Sequence, residues 1–221
     1  MKKMGMMLTC FFVAAGLLSG CSDFGTDGLF QEKQYTADSG AVQAIRLDVR
    51  DREVLVSLSE DEQIHIGYCE SGREFYDFAV SEEKALTMTL ETKKEWSDYI
   101  GGKTAAENRI IHLQLPVGLL TSLTIATTNG NITLPPLTLR DGASLRVNNG
   151  DIQFERLEVG QGLELEVKNG DIRGTLEGGY DDFAMACEVK KGTCNLPAEK
   201  TDGGKSLKVA LNNGDADITF E

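Results

Sequence analysis

The chain alternates apolar and polar residues in short bursts along most of its length. Six of these, "AIRLDV", "VLVSLS", "QIHIGY", "FYDFAV", "ALTMTLE" and "RIIHLQL", fill the region from Ala44 to Leu115. Successive side chains of a strand point to opposite faces, so a period of two marks strands with one face buried. Beyond residue 21 no stretch carries apolar residues at helical spacing, and the pattern predicts an all-β chain. The one long interruption is "TKKEWSDYIGGKTAAEN", Thr92 to Asn108. A loop of this length is usually functional or mobile.

From Thr121 the bursts become a repeat. "IATTNGNITL", "LRVNNGDIQF", "LEVKNGDIRG", "CEVKKGTCNL" and "VALNNGDADI" align, and their glycines, Gly130, Gly150, Gly170, Gly192 and Gly214, lie 20, 20, 22 and 22 residues apart. An Asn-Gly pair between alternating runs is a strong turn signal, because both positions tolerate positive φ. Independent hairpins accept connections of any length, whereas stacked coils must return in register. The near-constant spacing therefore predicts the corners of a single-stranded β-solenoid with about five regular C-terminal coils. Asn129, Gly130, Asn149, Gly150, Asn169, Gly170, Gly192, Asn213 and Gly214 are its expected corner residues. Ile125, Leu145, Leu165, Cys187 and Val209 form an inward column. "LDVRDREVLV", Leu47 to Val56, reads as a degenerate copy with Asp51-Arg52 at the corner.

Stacking also aligns Asn131, Asp151, Asp171, Thr193 and Asp215, with neighbours about 4.8 Å apart. A calcium ion could bridge such carboxylates. The nine-residue calcium-repeat pattern is absent, so turn caps are the expected role, and no metal or cofactor is assigned. Asp215, Asp217 and Glu221 are expected to blunt an open sheet edge at the end of the chain.

The N-terminus changes the picture. "MKKMGMMLTCFFVAAGLLSGC" has a basic start, an apolar run too short to span a bilayer, and small residues before Cys21. Leu18-Ser19-Gly20-Cys21 resembles the bacterial lipobox, which implies cleavage before Cys21 and a diacylglycerol on its thiol. Residues 1–20 are then a lipoprotein signal peptide and 21–40 a polar tether. Residues 41–120 form a less regular N-terminal β portion, and residues 121–221 form the repeat coils. The expected address is extracytoplasmic, on the membrane surface. The formal charge of −13 becomes two more negative when Lys2 and Lys3 leave. Nucleic acid, which needs clustered Lys and Arg, is excluded as a partner.

Of five cysteines, Cys10 falls in the signal and Cys21 at the lipid site, leaving Cys69, Cys187 and Cys194. Cys187 and Cys194 replace inward residues on either side of the Lys191-Gly192 corner. They either form a disulfide or fill aliphatic space as free thiols. "GGKT" at Gly101 and "GGKS" at Gly203 lack the earlier glycine of a phosphate-binding loop and read as loops. Trp96 and Tyr99, in the long loop, either contact a glycan or surface protein or fold back over the end of the stack. The outward columns vary from coil to coil, as in Ala126, Arg146, Glu166, Glu188 and Ala210, so no reactive groups converge.

Residues 41–221, through "TTNGNITL", "VNNGDIQF", "VKNGDIRG" and the "LQLP" segment before them, resemble the bacterial putative-adhesin β-strand-repeat proteins, also called toastrack domains. The fourth repeat departs, with Lys191 for Asn and Thr193 for Asp. The resemblance implies a right-handed β-helix-like stack at the cell surface, in a family linked to adhesion or envelope sensing. The expectation is a non-enzymatic, lipid-anchored surface protein. The contrasting reading, a carbohydrate-active β-helix enzyme, needs an acidic cluster near Trp96 or along the Asp column.

Overall fold

The computed structural model describes residues 29–93, 105–118 and 120–221. Its strands, in chain order, are β1 (Gln31–Asp38), β2 (Ala44–Asp48), β3 (Glu53–Leu58), β4 (Gln63–Glu70), β5 (Glu74–Val80), β6 (Ala85–Thr92), β7 (Ile110–Leu115), β8 (Ser122–Asn129) and β9 (Ile132–Leu134). They continue with β10 (Leu137–Leu139), β11 (Gly142–Asn149), β12 (Ile152–Val159), β13 (Gly162–Asn169), β14 (Ile172–Leu176), β15 (Phe183–Lys191), β16 (Glu199–Lys200), β17 (Lys205–Asn213) and β18 (Ala216–Phe220). Among the described residues the only helical segments are 3-10 turns at Ala106–Arg109 and Tyr180–Asp182. All six early bursts are strands.

The strands form two nine-stranded sheets. One runs β1-β4-β7-β3-β9-β12-β14-β18, with β10 also on β12, and the other runs β16-β15-β17-β13-β11-β8-β2-β6-β5. From β2 to β18 the chain passes repeatedly from one sheet to the other, and equivalent strands pair in parallel. Hairpins in a meander would pair antiparallel, so the parallel ladders make this a β-solenoid. Each coil sends every second side chain inward, and those side chains make one continuous core from Val42 to Ile218. Leu47, Ile125, Leu145, Leu165 and Val209 lie in one column. Ile132, Ile152, Ile172 and Ala216 lie in the facing one. The degenerate copy is a true coil, since Leu47 pairs with Ile125 and Val54 with Ile132.

Three expectations need correction. First, the coils do not stack in chain order. β17 lies between β13 and β15, so the last coil is inserted beneath the one before it. Cys187 therefore pairs with Val209 and ends the inward column. The N-terminal end mirrors this: β2 sits inside β6, and β3 inside β7. Second, residues 31–38, placed in the tether, form β1, which pairs antiparallel with β4 over all eight residues. Only Tyr35 and Ala37 of this strand pack on the core, so there was little alternation to read. Third, the carboxylates do not simply charge an open edge at β18 but help hold a covering segment on it, Asp215 accepting from Thr193 and Asp217 from the Asn195 amide at 3.0 Å. Thr193 and Asn195 lie along it: Ala216 N–H donates to the Thr193 carbonyl at 2.9 Å and Asn195 N–H to the Ala216 carbonyl at 3.2 Å. The Asn195 side-chain amide then bonds both the N–H and the carbonyl of Ile218, at 3.0 and 2.8 Å, in place of a further strand.

The corners show why glycine is required. Gly170 has φ +141°, and a Cβ there would lie 2.1 Å from the Gly150 carbonyl oxygen of the neighbouring coil. The close approach lets Gly150 N–H reach the Asn169 carbonyl at 3.0 Å. Gly118 also has positive φ, at +70°, but nothing lies within 4 Å of its would-be Cβ. Gly170→Ala should therefore cost at least about 3 kcal/mol, since two coils must move apart, while Gly118→Ala should cost roughly 1 kcal/mol of backbone strain alone. Urea unfolding of the two variants checks this; equal losses would remove the steric reading of the corners.

Candidate functional site

The corner carries two ladders of polar side chains. In the first, Asn129 Nδ2 donates to Asp51 Oδ1. Asn149 donates to Asn129 at 2.8 Å, Asn169 to Asn149 at 2.9 Å and Asn213 to Asn169 at 2.7 Å. Each amide gives a proton to one neighbour and all but Asn213 accept from the next, which only an in-register stack allows. The second ladder is the expected carboxylate column. Asp151 N–H donates to Asn131 Oδ1, Asp171 N–H to Asp151 Oδ1 and Asp215 N–H to Asp171 Oδ1, all at 2.9 Å. Thr193 N–H and its hydroxyl both donate to Asp215 Oδ1 at 2.8 Å. The carboxylates are turn caps that bond the backbone of the adjacent coil, and this relieves the repulsion their spacing would otherwise cause.

At the N-terminal end of the stack the degenerate corner is built differently. Positive φ falls on Asp51, at 52°, while Arg52 occupies the glycine position. The Arg52 side chain turns inward and is 2% exposed. Its Nη2 donates to Glu74 Oε2 and its Nε to the Tyr76 hydroxyl, each at 2.6 Å. Its Nη1 reaches the Arg50 and Asp51 carbonyls at 3.3 and 3.2 Å. Burial pushes the Tyr76 phenol up against the pull of Arg52, so at neutral pH it is an uncharged acceptor. Removing one partner of such a pair typically costs about 3–5 kcal/mol, because the other charge stays buried. Above it Tyr35 stacks on Phe78 at 4.3 Å and Tyr68 meets Tyr76 edge-on at 5.0 Å, closing the end between the sheets.

Beside this plug lies a cleft of about 420 Å³ lined by Leu29, Gln31, Lys33, Glu70, Ser71, Gly72, Phe75, Tyr76 and Lys93. Lys33 Nζ pairs with Glu70 at 2.5 Å, and Lys93 Nζ sits 4.9 Å from the centre of the Phe75 ring. A charged rim over aromatic faces suits a polar ligand with apolar patches. Trp96 and Tyr99 lie outside the described residues, as does Cys21. In the sequence Trp96 follows Lys93, a cleft residue, by three positions.

Elsewhere the expected residues fall as follows. Cys187 and Cys194 are free thiols. Both pack against the core at the outermost coil. "GGKS" leads into strand β17 rather than a helix, so its backbone forms no phosphate cradle. Charge links outward residues of neighbouring coils, Arg146 pairing with Glu164 at 3.0 Å and with Glu166 at 3.5 Å, while Arg173 pairs within its own coil with Asp171 at 2.8 Å. The hydrogen bond from Ser144 and the charge of Arg146 hold the Glu164 carboxyl below its ordinary range. Arg52 was legible as an anomaly at a glycine position, but its partners, on β5, carry no sequence mark.

A family model described as Toastrack DUF4097 matches residues 42–220. The chain belongs to the toastrack family. No curated protein matches it. Among solved structures, the toastrack fold here resembles a protein described as a putative cell adhesion protein from Clostridium sporogenes, at 11% identity and a TM-score of 0.57. That match covers 87% of this chain and 100% of the other. A putative adhesin from Parabacteroides distasonis matches at 10% identity and a TM-score of 0.33, over 89% of this chain and 96% of its own.

The terminal rung of the Asp ladder gives a pH prediction. The two Thr193 bonds hold the Asp215 carboxyl below its ordinary value of 3.8. Its folded pKa is depressed, so its contribution is fully present above about pH 4 and is lost as pH falls through the folded value. Asp215→Asn keeps an acceptor without the charge. The thermal midpoint of the native chain should therefore fall more steeply than that of the variant below pH 4; parallel curves would show that this carboxylate is not coupled to the fold.

Proposed function

We propose that this toastrack protein is a lipid-anchored surface protein that presents a rigid acidic β-stack in envelope sensing, scaffolding or adhesion, without enzymatic turnover. The observation that carries the reading is the fate of the corner carboxylates. Asp151, Asp171 and Asp215 each accept a backbone N–H of the next coil, and so are committed to the stack rather than gathered as an acid and base. The adhesion-related description of the Clostridium protein supports the same class of role. The cleft beside Lys93, with Trp96 and Tyr99 in the adjoining loop, is the surface for a glycan or protein partner. Ten chain steps, with nine residues between, separate Cys21 from Gln31, the start of β1. Even fully extended they reach about 35 Å, so a lipid on Cys21 holds the cleft end of the stack near the membrane. The partner is then an envelope component rather than a distant surface.

Two measurements test this. Mass spectrometry of the full chain expressed in a bacterial host should find a mature N-terminus at a lipid-bearing Cys21, lost in Cys21→Ala and blocked by globomycin; an unmodified N-terminus would remove the anchor. In pull-downs from envelope extracts, Trp96→Ala should weaken capture several-fold while Asp151→Asn with Asp171→Asn leaves it unchanged. Turnover of a glycan that disappears in the double Asp variant would instead establish the enzyme reading.

A further inference from the structure

Both inward columns of the stack end in cysteine. Ile125, Leu145, Leu165 and Val209 lead to Cys187. Ile132, Ile152, Ile172 and Ala216 lead to Cys194. The two side chains flank the Lys191-Gly192 corner, pack against the core and lie close enough to influence each other electrostatically. Ala216, the residue beneath Cys194, replaces the isoleucine of the three coils before it and leaves room at that level. The coil they belong to is well paired before the corner, β15 with β17 through eight residues, and weakly held past it. β18 pairs with β14 through five residues, whereas past the corner the outermost coil has a single backbone bridge, Cys194 to Ala216, and the two residues of β16.

We propose that Cys187 and Cys194 are a redox-modified pair, closing to a disulfide that fastens the outermost coil over the inserted last one. This inference does not depend on the reading of function above. The oxidant is a disulfide donor, either a dithiol oxidase or a small disulfide such as oxidised glutathione. One cysteine thiolate attacks a donor sulfur, giving a mixed disulfide and one donor thiolate. The second cysteine attacks the protein sulfur of that mixed disulfide and releases the other donor thiolate. Two protons and two electrons leave the protein, and the donor ends as two thiols. Burial and the adjoining Cys194 push the Cys187 thiol up to about 12. Cys187 therefore stays protonated at neutral pH, and the step in which it attacks is the slow one. Cys69, on β4 at the opposite end, has no partner cysteine within the stack and serves as an internal control.

The test is oxidation of the reduced full chain in a glutathione redox buffer, followed by acid quench, alkylation and peptide mapping, which keeps Cys10 and Cys21 apart from the other three. The expected result is one linked pair, Cys187 with Cys194, an alkylated Cys69, and a thermal midpoint several degrees above that of the reduced chain. Cys187→Val and Cys194→Ile, which restore the residue types of their columns and so keep the fold, should each abolish both the link and the shift. Native chain that keeps Cys187 and Cys194 alkylatable, or carries only a glutathione adduct, while the same chain in urea forms the link, overturns the proposal. A link from either cysteine to Cys69 overturns it equally.

Discussion

The corner at which each coil turns from one sheet to the other is the constraint on which this structure depends. There a glycine at positive φ brings two backbones so close that no side chain fits between them, and flanking Asn and Asp side chains bond across the same gap. The bonds run from coil to coil, so none of them exists in an isolated coil. A coil of some 20 residues buries too little apolar surface to offset its own ordering, and the ladders together with the shared columns make the stack a collective structure. The polar face of the corner is thus part of what holds the molecule together, which is why its carboxylates are poor candidates for chemistry.

A stack held this way has an end problem, because an unpaired coil offers its backbone to any passing strand. The two ends solve it by different means. At the N-terminal end β4 and β5 turn antiparallel, β1 adds an outer strand, and aromatic rings with the Arg52–Glu74 pair fill the space between the sheets. At the C-terminal end a shortened coil lies over the last full one, and the amide of Asn195 takes the place of a strand along Ile218. The charged and aromatic cleft lies at the first of these ends.

Much of this was legible. The period of two in "ALTMTLE" or "RIIHLQL" survives because each strand has one wet and one dry face, and glycine spacing near 20 residues reports register directly. The order of the last two coils was not legible from spacing, since both phrases fit the same register. It was written instead in the substitutions. A rung that passes a bond onward needs a side-chain acceptor such as Asp215, whereas an outermost rung needs none, and Thr193 has no carboxylate. The departures at Lys191, Thr193 and the two cysteines mark the terminal rung. β1 escaped notice because six of its eight residues face solvent, and the cleft because its walls come from β1, the β4–β5 turn and the end of β6.

The inserted coil also bears on how the molecule is made. A chain that emerges from its amino end first delivers Phe183–Lys191 before Lys205–Phe220, yet in the finished stack the later segment lies beneath the earlier one. The outermost rung is without its support until Lys205–Phe220 arrive and pair beneath it. That segment is therefore a keystone set after the rung it supports, and a chain lacking it would leave that rung with nothing to rest on.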